Sequence, residues 1–221
     1  MTAQAAALRQ QGMACILLWM QGGPSQFETF SPKPEHANGG ETKAIKTNVA
    51  GIEISENLPK TAQAMEDVCL IRSMNSREGA HPRATYLMHT GYLPTASVKY
   101  PTLGSIVAHE RGKPDSELPG FVRIGQSRFG DSAGLLGVGY DPFVLQAAGP
   151  MPQNTQLPTE QARYSRRLNL LSKLEDDYAN SDGRQEVEDH RQVDAKAAKM
   201  ITSPQMSVFD LSKEPQKVRD A

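Results

Sequence analysis

Cysteine is scarce in this chain. Two thiols in 221 residues cannot build a disulfide-dense scaffold. Both, Cys15 and Cys69, lie in apolar, strand-like runs and are expected to be buried. Charge of either sign is not in excess: the formal net charge is −1. A chain without a basic surplus is a poor nucleic-acid binder, so nucleic acid is excluded as the main partner. Long apolar runs are missing too. The longest, Met13–Met20, which contains the strand-like Ala14–Met20, has eight residues and stops at Gln21-Gly22-Gly23, far short of the roughly 18 needed to span a membrane. Residues 1–13 carry a single arginine and no extended apolar stretch, so they are not expected to form a working signal peptide. They are expected to be a disordered N-terminal remnant. There is no His-x-x-x-His, Cys-x-x-Cys or Gly-Lys-Ser/Thr sequence, which removes the signatures of zincins, zinc fingers and P-loop enzymes.

What is present is an ordinary globular composition with an uneven charge distribution. Of the 49 charged side chains, 23 fall in residues 160–221. That segment is expected to form solvated helices. The continuous apolar run Ala14–Met20 predicts a strand buried on both faces, and Val68–Arg72 a second. Leu58, Ala62 and Met65 recur at helical spacing between them. This strand–helix–strand order implies α/β layering around a parallel sheet. Helices are predicted over 80–90, with Pro82 at the first helical position and Gly91 beyond the end, and over 102–111, with Thr102 as N-cap. Gly120–Ile124 reads as a strand and 125–158 as a long irregular loop. Tyr164, Leu168, Leu171, Leu174 and Tyr178 mark an amphipathic helix over 160–179. A weaker helix covers 183–200, and a last one begins near Glu214.

Two stretches carry residue types suited to chemistry. Ligands in open α/β sheets bind beyond the carboxyl ends of strands. A glycine turn there lets backbone N–H groups approach an anion. Gly22, Gly23, Ser25 and Gln26 therefore form a candidate anion-binding turn, and Glu28 a candidate ligand for a hard cation. The same residues also suit a plain tight turn. The second stretch is Arg77-Glu78-Gly79-Ala80-His81-Pro82-Arg83. With Pro82 opening a helix, His81 would cap it, and helix starts favour anions. His81 and Arg83 are the catalytic candidates, with His81 as metal ligand, acid/base or nucleophile. His89 suits the end of the same helix. His36, His109 and His190 show no ligand-like spacing, and His190 sits in a charged run that reads as a solvated helix face.

Several motifs together resemble the bacterial family named domain of unknown function 1501. They include Leu17-Leu18-Trp19-Met20-Gln21-Gly22-Gly23-Pro24-Ser25-Gln26, Pro32-Lys33-Pro34 and Ile71-Arg72-Ser73-Met74. His81-x-Arg83-Ala84-Thr85-Tyr86-Leu87-Met88-His89-Thr90-Gly91-Tyr92, Pro101-Thr102-Leu103-Gly104-Ser105 and Leu136-Gly137-x-x-Tyr140-Asp141-Pro142-Phe143 join them. Phe209-Asp210-Leu211-Ser212-Lys213-Glu214-Pro215 completes the set, which runs in order from about residue 14 to the end. The family resembles a branch of the alkaline phosphatase and sulfatase superfamily. The resemblance implies a central, mostly parallel sheet flanked by helices over 14–221. It also implies metal-assisted hydrolysis of small anionic sulfate or phosphate esters, and export to the periplasm.

Departures accompany the likeness. His81 stands where a sulfatase nucleophile would be, Gly22-Gly23 replace the paired aspartates, and Ser31 cannot supply a carboxylate. The family's Trp-Asp-x-His motif is absent, since the only tryptophan is Trp19. The chain is therefore expected to be the N-terminal part of such a domain, completed by a missing C-terminal half. Relatives are expected to use a divalent metal, with none held tightly here through Glu28 and His81. The fragment is expected to be inactive and prone to aggregate. The rival expectation is a non-catalytic binding or surface-associated protein that keeps the fold. A shared site would require the Gly22–Glu28 turn and His81 to converge at one end of a sheet.

Overall fold

A computed structural model describes residues 14–113, 115–125, 132–149, 151–180 and 183–219. Residues 1–13, expected to be a disordered remnant, lie outside the described residues. The chain divides into two compact units, Ile16–His81 and a second from Pro82 onward.

The first unit is built on an antiparallel hairpin, β1 (Ala44–Lys46) and β2 (Glu53–Ser55), in which Ile45 faces Ile54. The turn closes through Thr47, whose hydroxyl donates to the Ile52 carbonyl at 2.8 Å. Gly51 supplies the positive φ of 80° that the turn demands. A short helix, α1 (Pro59–Gln63), and a 3₁₀ turn at Met65–Asp67 follow. The predicted helix over 57–67 thus appears in two shorter pieces. Ile54, Ala62 and Met65 are fully or nearly buried, with Phe30, Ile45, Val49, Ile52, Leu58 and Leu70 packed around them. Alternation of apolar and polar residues on the hairpin puts one face inward, which a small unit can cover.

The second unit carries α2 (His81–Thr90), α3 (Leu103–Arg111), β3 (Val122–Ile124), β4 (Phe143–Leu145), α4 (Gln161–Ala179), α5 (Arg184–Thr202) and a final turn of helix, α6 (Gln216–Arg219). Helix α2 opens this series at the junction, since His81 closes the first unit. Thr102 caps α3 by accepting from the Ser105 amide at 3.5 Å, as predicted. Gly91 ends α2 with φ 79°. β3 and β4 pair in parallel, Val122 opposite Phe143 and Ile124 opposite Leu145. The segment 125–158, predicted as irregular, therefore contributes a strand. α4 and α5 pack together as a helical hairpin.

Helices and small sheets make the molecule α/β, but the central, mostly parallel sheet is not formed. Among the described residues there are two sheets of two strands, one antiparallel and one parallel. Ala14–Met20 is in neither, and its side chains are exposed, Ile16 at 80% and Leu18 at 86%. The predicted strand Val68–Arg72 is likewise outside both sheets, with Ile71 exposed. A run apolar on both faces must be covered on both, and neither two-stranded sheet extends to do so. Cys15 and Cys69 fall on these segments, so both thiols are exposed rather than buried.

Candidate functional site

The glycine turn expected to bind an anion exists as local structure. Gly22 and Gly23 adopt φ of 86° and 66° in succession. Nothing lies within 4 Å of where a Cβ would sit on either, so backbone conformation rather than crowding calls for glycine. Ser25 then caps a short 3₁₀ turn, Gln26–Glu28. Its hydroxyl oxygen accepts from the Phe27 amide at 3.2 Å, and the Thr29 hydroxyl donates to its carbonyl at 3.1 Å. Gln26 and Glu28 are exposed. The five residues Gly22, Gly23, Ser25, Gln26 and Glu28 thus share one solvent-facing turn.

His81 and Arg83 stand exposed on the first turn of α2. The helix begins at His81 itself, so the imidazole sits on the first helical residue instead of the capping position. Just ahead of it, the Glu78 carboxylate accepts from the Ala80 amide at 3.1 Å. An incoming anion would meet that negative charge next to the helix start.

The concave surfaces lie elsewhere. One of about 570 Å³ in the first unit is lined by Pro32, Lys46, Val49, Ile52, Glu53 and Arg72 among others. Arg72 reaches across it to donate from Nε to the Phe30 carbonyl at 3.0 Å and from Nη2 to the Glu53 carbonyl at 2.6 Å. A second, of about 380 Å³, runs along α4 and α5. Neither is lined by any of the seven predicted site residues.

Residues 13–221 match the sequence profile of a family described as proteins of unknown function, DUF1501. The chain belongs to the DUF1501 family. No curated protein and no solved structure matches it.

The metal that the resemblance implies is not matched by the donors in this DUF1501 chain. Glu28 and His81 offer one carboxylate and one imidazole, and catalytic metal centres of this kind take three or more protein ligands. Among the described residues, three metal-ligating side chains converge only at Glu175, His190 and Asp194. That cluster joins α4 to α5. His190 Nδ1 lies 2.5 Å from Glu175 Oε1 and 3.8 Å from Asp194 Oδ2. Arg191 Nε donates to Glu175 Oε2 at 3.1 Å, while Nη2 donates to Asp176 Oδ1 at 2.5 Å and to the Ser172 carbonyl at 2.9 Å.

These contacts move the titrations. The hydrogen bond from His190, with help from Arg191, holds the Glu175 carboxyl below its ordinary range. The same bond, aided by the Asp194 charge, raises the His190 imidazole. Bonds to Asp176 and Glu175 raise the Arg191 guanidinium. Sequence reasoning passed over this group because its members come from two helices. The signal within reach was the four-residue spacing of His190 and Asp194, which places both on one helix face.

Proposed function

We propose that this DUF1501 chain carries the anion-binding part of a sulfatase-like, metal-dependent hydrolase of sulfate or phosphate esters. In this reading the relatives act on small anionic esters after export to the periplasm, and the 221 residues alone turn over nothing. The observation that carries the reading is the turn Gly22–Glu28. Its two left-handed glycines leave backbone open to an approaching anion. Ser25 and Gln26 add a hydroxyl and an amide beside it. His81 and Arg83 would supply an imidazole and a cation to a negatively charged ester, with Arg83 suited to bidentate contact with sulfate or phosphate. A divalent metal in relatives would polarise the ester. Its ligand set is not among the residues of this turn, and its source would be sequence outside these 221 residues.

One observation favours a second reading, a non-catalytic binding protein. The seven candidate residues line neither concavity, and catalytic groups normally converge in a cleft that excludes water. The two readings separate in one experiment. Residues 1–221, and the same chain joined to whatever its gene encodes next, are assayed with aryl sulfate and aryl phosphate in the presence of manganese, zinc or calcium. The hydrolase reading expects no turnover from 1–221 and turnover from the longer chain that His81→Ala or Arg83→Ala abolishes. Turnover by neither, with sulfate binding retained, supports the binding protein. Turnover by 1–221 alone overturns the reading that its residues are insufficient.

A further inference from the structure

We propose that Glu175, His190 and Asp194 form a zinc site that clamps α4 to α5. It is separate from the ester-hydrolysis reading and uses none of the residues assigned there. The three donor atoms all lie within 4.8 Å of one another. Zinc holds imidazole nitrogen and carboxylate oxygen at about 2.0–2.2 Å, so neighbouring ligands on a tetrahedral ion sit about 3.3–3.5 Å apart. The separations here bracket that value: 2.5 Å from His190 Nδ1 to Glu175 Oε1 and 3.8 Å from His190 Nδ1 to Asp194 Oδ2. Coordination would require the short separation to open by about 1 Å and the long one to close by a few tenths of an ångström. His190 is 56% exposed, so the ring has room to turn.

The frame around the cluster suits a chelate. His190 and Asp194 project from one face of α5 with no backbone movement needed to align them. Glu175 is largely covered, at 11% side-chain exposure, and its second oxygen is engaged by Arg191. Such outer contacts fix a ligating carboxylate and leave its other oxygen pointing at the ion. Arg191 also lowers the negative charge of the site, which keeps affinity below that of a closed structural centre. Glu175 and His190 line the 380 Å³ groove along the hairpin, so water can complete the coordination from that side. The imidazole nitrogen selects the metal: magnesium and calcium prefer all-oxygen sets, whereas zinc accepts mixed nitrogen and oxygen. In the absence of zinc His190 Nδ1 hydrogen-bonds Glu175 Oε1 at 2.5 Å, and zinc binding would replace that bond and release a proton.

The test is calorimetric titration of the metal-free 221-residue chain with zinc chloride near neutral pH, paired with thermal melts followed by circular dichroism at 222 nm. One equivalent of zinc is expected to bind and to raise the melting temperature. His190→Gln should weaken binding by roughly tenfold or more, and Asp194→Asn should weaken it in the same direction. His81→Ala should leave the isotherm unchanged, and millimolar magnesium should not compete. Helical signal confirms that each variant is folded. Asp194→Asn decides the matter on its own should His190→Gln fail to fold. Isotherms of both variants matching the parent would overturn the proposal. Loss of binding in His81→Ala but not in His190→Gln would do so too, as would no heat and no melting shift at about 1 mM zinc.

Discussion

The core around Met65 and the hairpin of α4 and α5 are held by different forces. In the first, Ile54, Ala62 and Met65 are at most 4% exposed and packed by six further apolar residues. In the second, Leu170, Leu174 and Tyr178 remain more than half exposed, and Val187 is the one buried apolar side chain of α5. Its helices are joined instead by His190, Arg191, Glu175 and Asp176. Burial of apolar area is insensitive to pH, whereas ion pairs at a surface respond to pH and salt. The two regions should therefore fail under different stresses.

The strongest way to break the comparison is in the core. Met65→Ala removes a side chain that is 1% exposed, and it should destabilise the first unit by about 2–5 kcal/mol. Amide exchange at Ile54 would show it locally. Leu18→Ser, on the exposed run, should change folded stability by less than about 0.5 kcal/mol while reducing self-association on a sizing column. Comparable losses from the two would mean that Ala14–Met20 is covered in solution.

Two glycines sharpen the contrast at a smaller scale. A Cβ on Gly39 would sit 1.9 Å from the Lys33 carbonyl oxygen. Backbone cannot yield that far cheaply, so Gly39→Ala should cost about 1–3 kcal/mol. A Cβ on Gly183 would meet the Tyr178 ring at 2.1 Å. That ring is 59% exposed and can swing aside. Gly183→Ala should therefore cost less than about 1 kcal/mol, mostly through poorer capping of α5. Denaturant midpoints of the two variants, measured together, test the ranking; equal losses would show that the α4–α5 junction is as rigid as the core.

The helices were legible because their signals are local. Thr102 with Ser105, Gly91 past Thr90, and the apolar spacing of α4 each act within one or two turns of chain. Of the strands, β3 was, lying within the predicted Gly120–Ile124, and the other three were not. β1 and β2 are three residues each and rest on the pairing of Ile45 with Ile54, while β4 lies within a stretch of turn-forming residues. Ala14–Met20 misled in the other direction. Its composition specifies a two-sided burial that neither sheet here provides, so propensity alone could not place it. The turn residues Gly22 to Glu28 were recognisable from the glycine pair, because positive φ is a local demand. The Glu175–His190 contact was not, because it joins positions on two helices and needs the hairpin to exist first.

The smallest expected effect is also the one confined to the hairpin. Pairing raises His190 above its ordinary 6.5 and lowers Glu175 below its ordinary 4.5. The raised histidine contributes stability that is complete below 6.5 and is lost as pH climbs through its higher folded value. The lowered carboxylate contributes stability that is complete above 4.5 and is lost as pH drops through its lower folded value. The hairpin should therefore be firmest between about 4.5 and 6.5, where both contributions are full. Acid alone does not isolate it, because Asp210, lowered by its hydrogen bond from Ser212, titrates in the same direction. The alkaline side is the discriminating one. In metal-free buffer, amide exchange in α4 and α5 should quicken as pH rises above 6.5, after correction for the intrinsic pH dependence of exchange, while Ile54 and Met65 hold steady. His190→Gln should flatten that alkaline limb and leave the core untouched. A limb that survives the substitution, or that appears equally at Ile54, would show that the hairpin is not held by this pair.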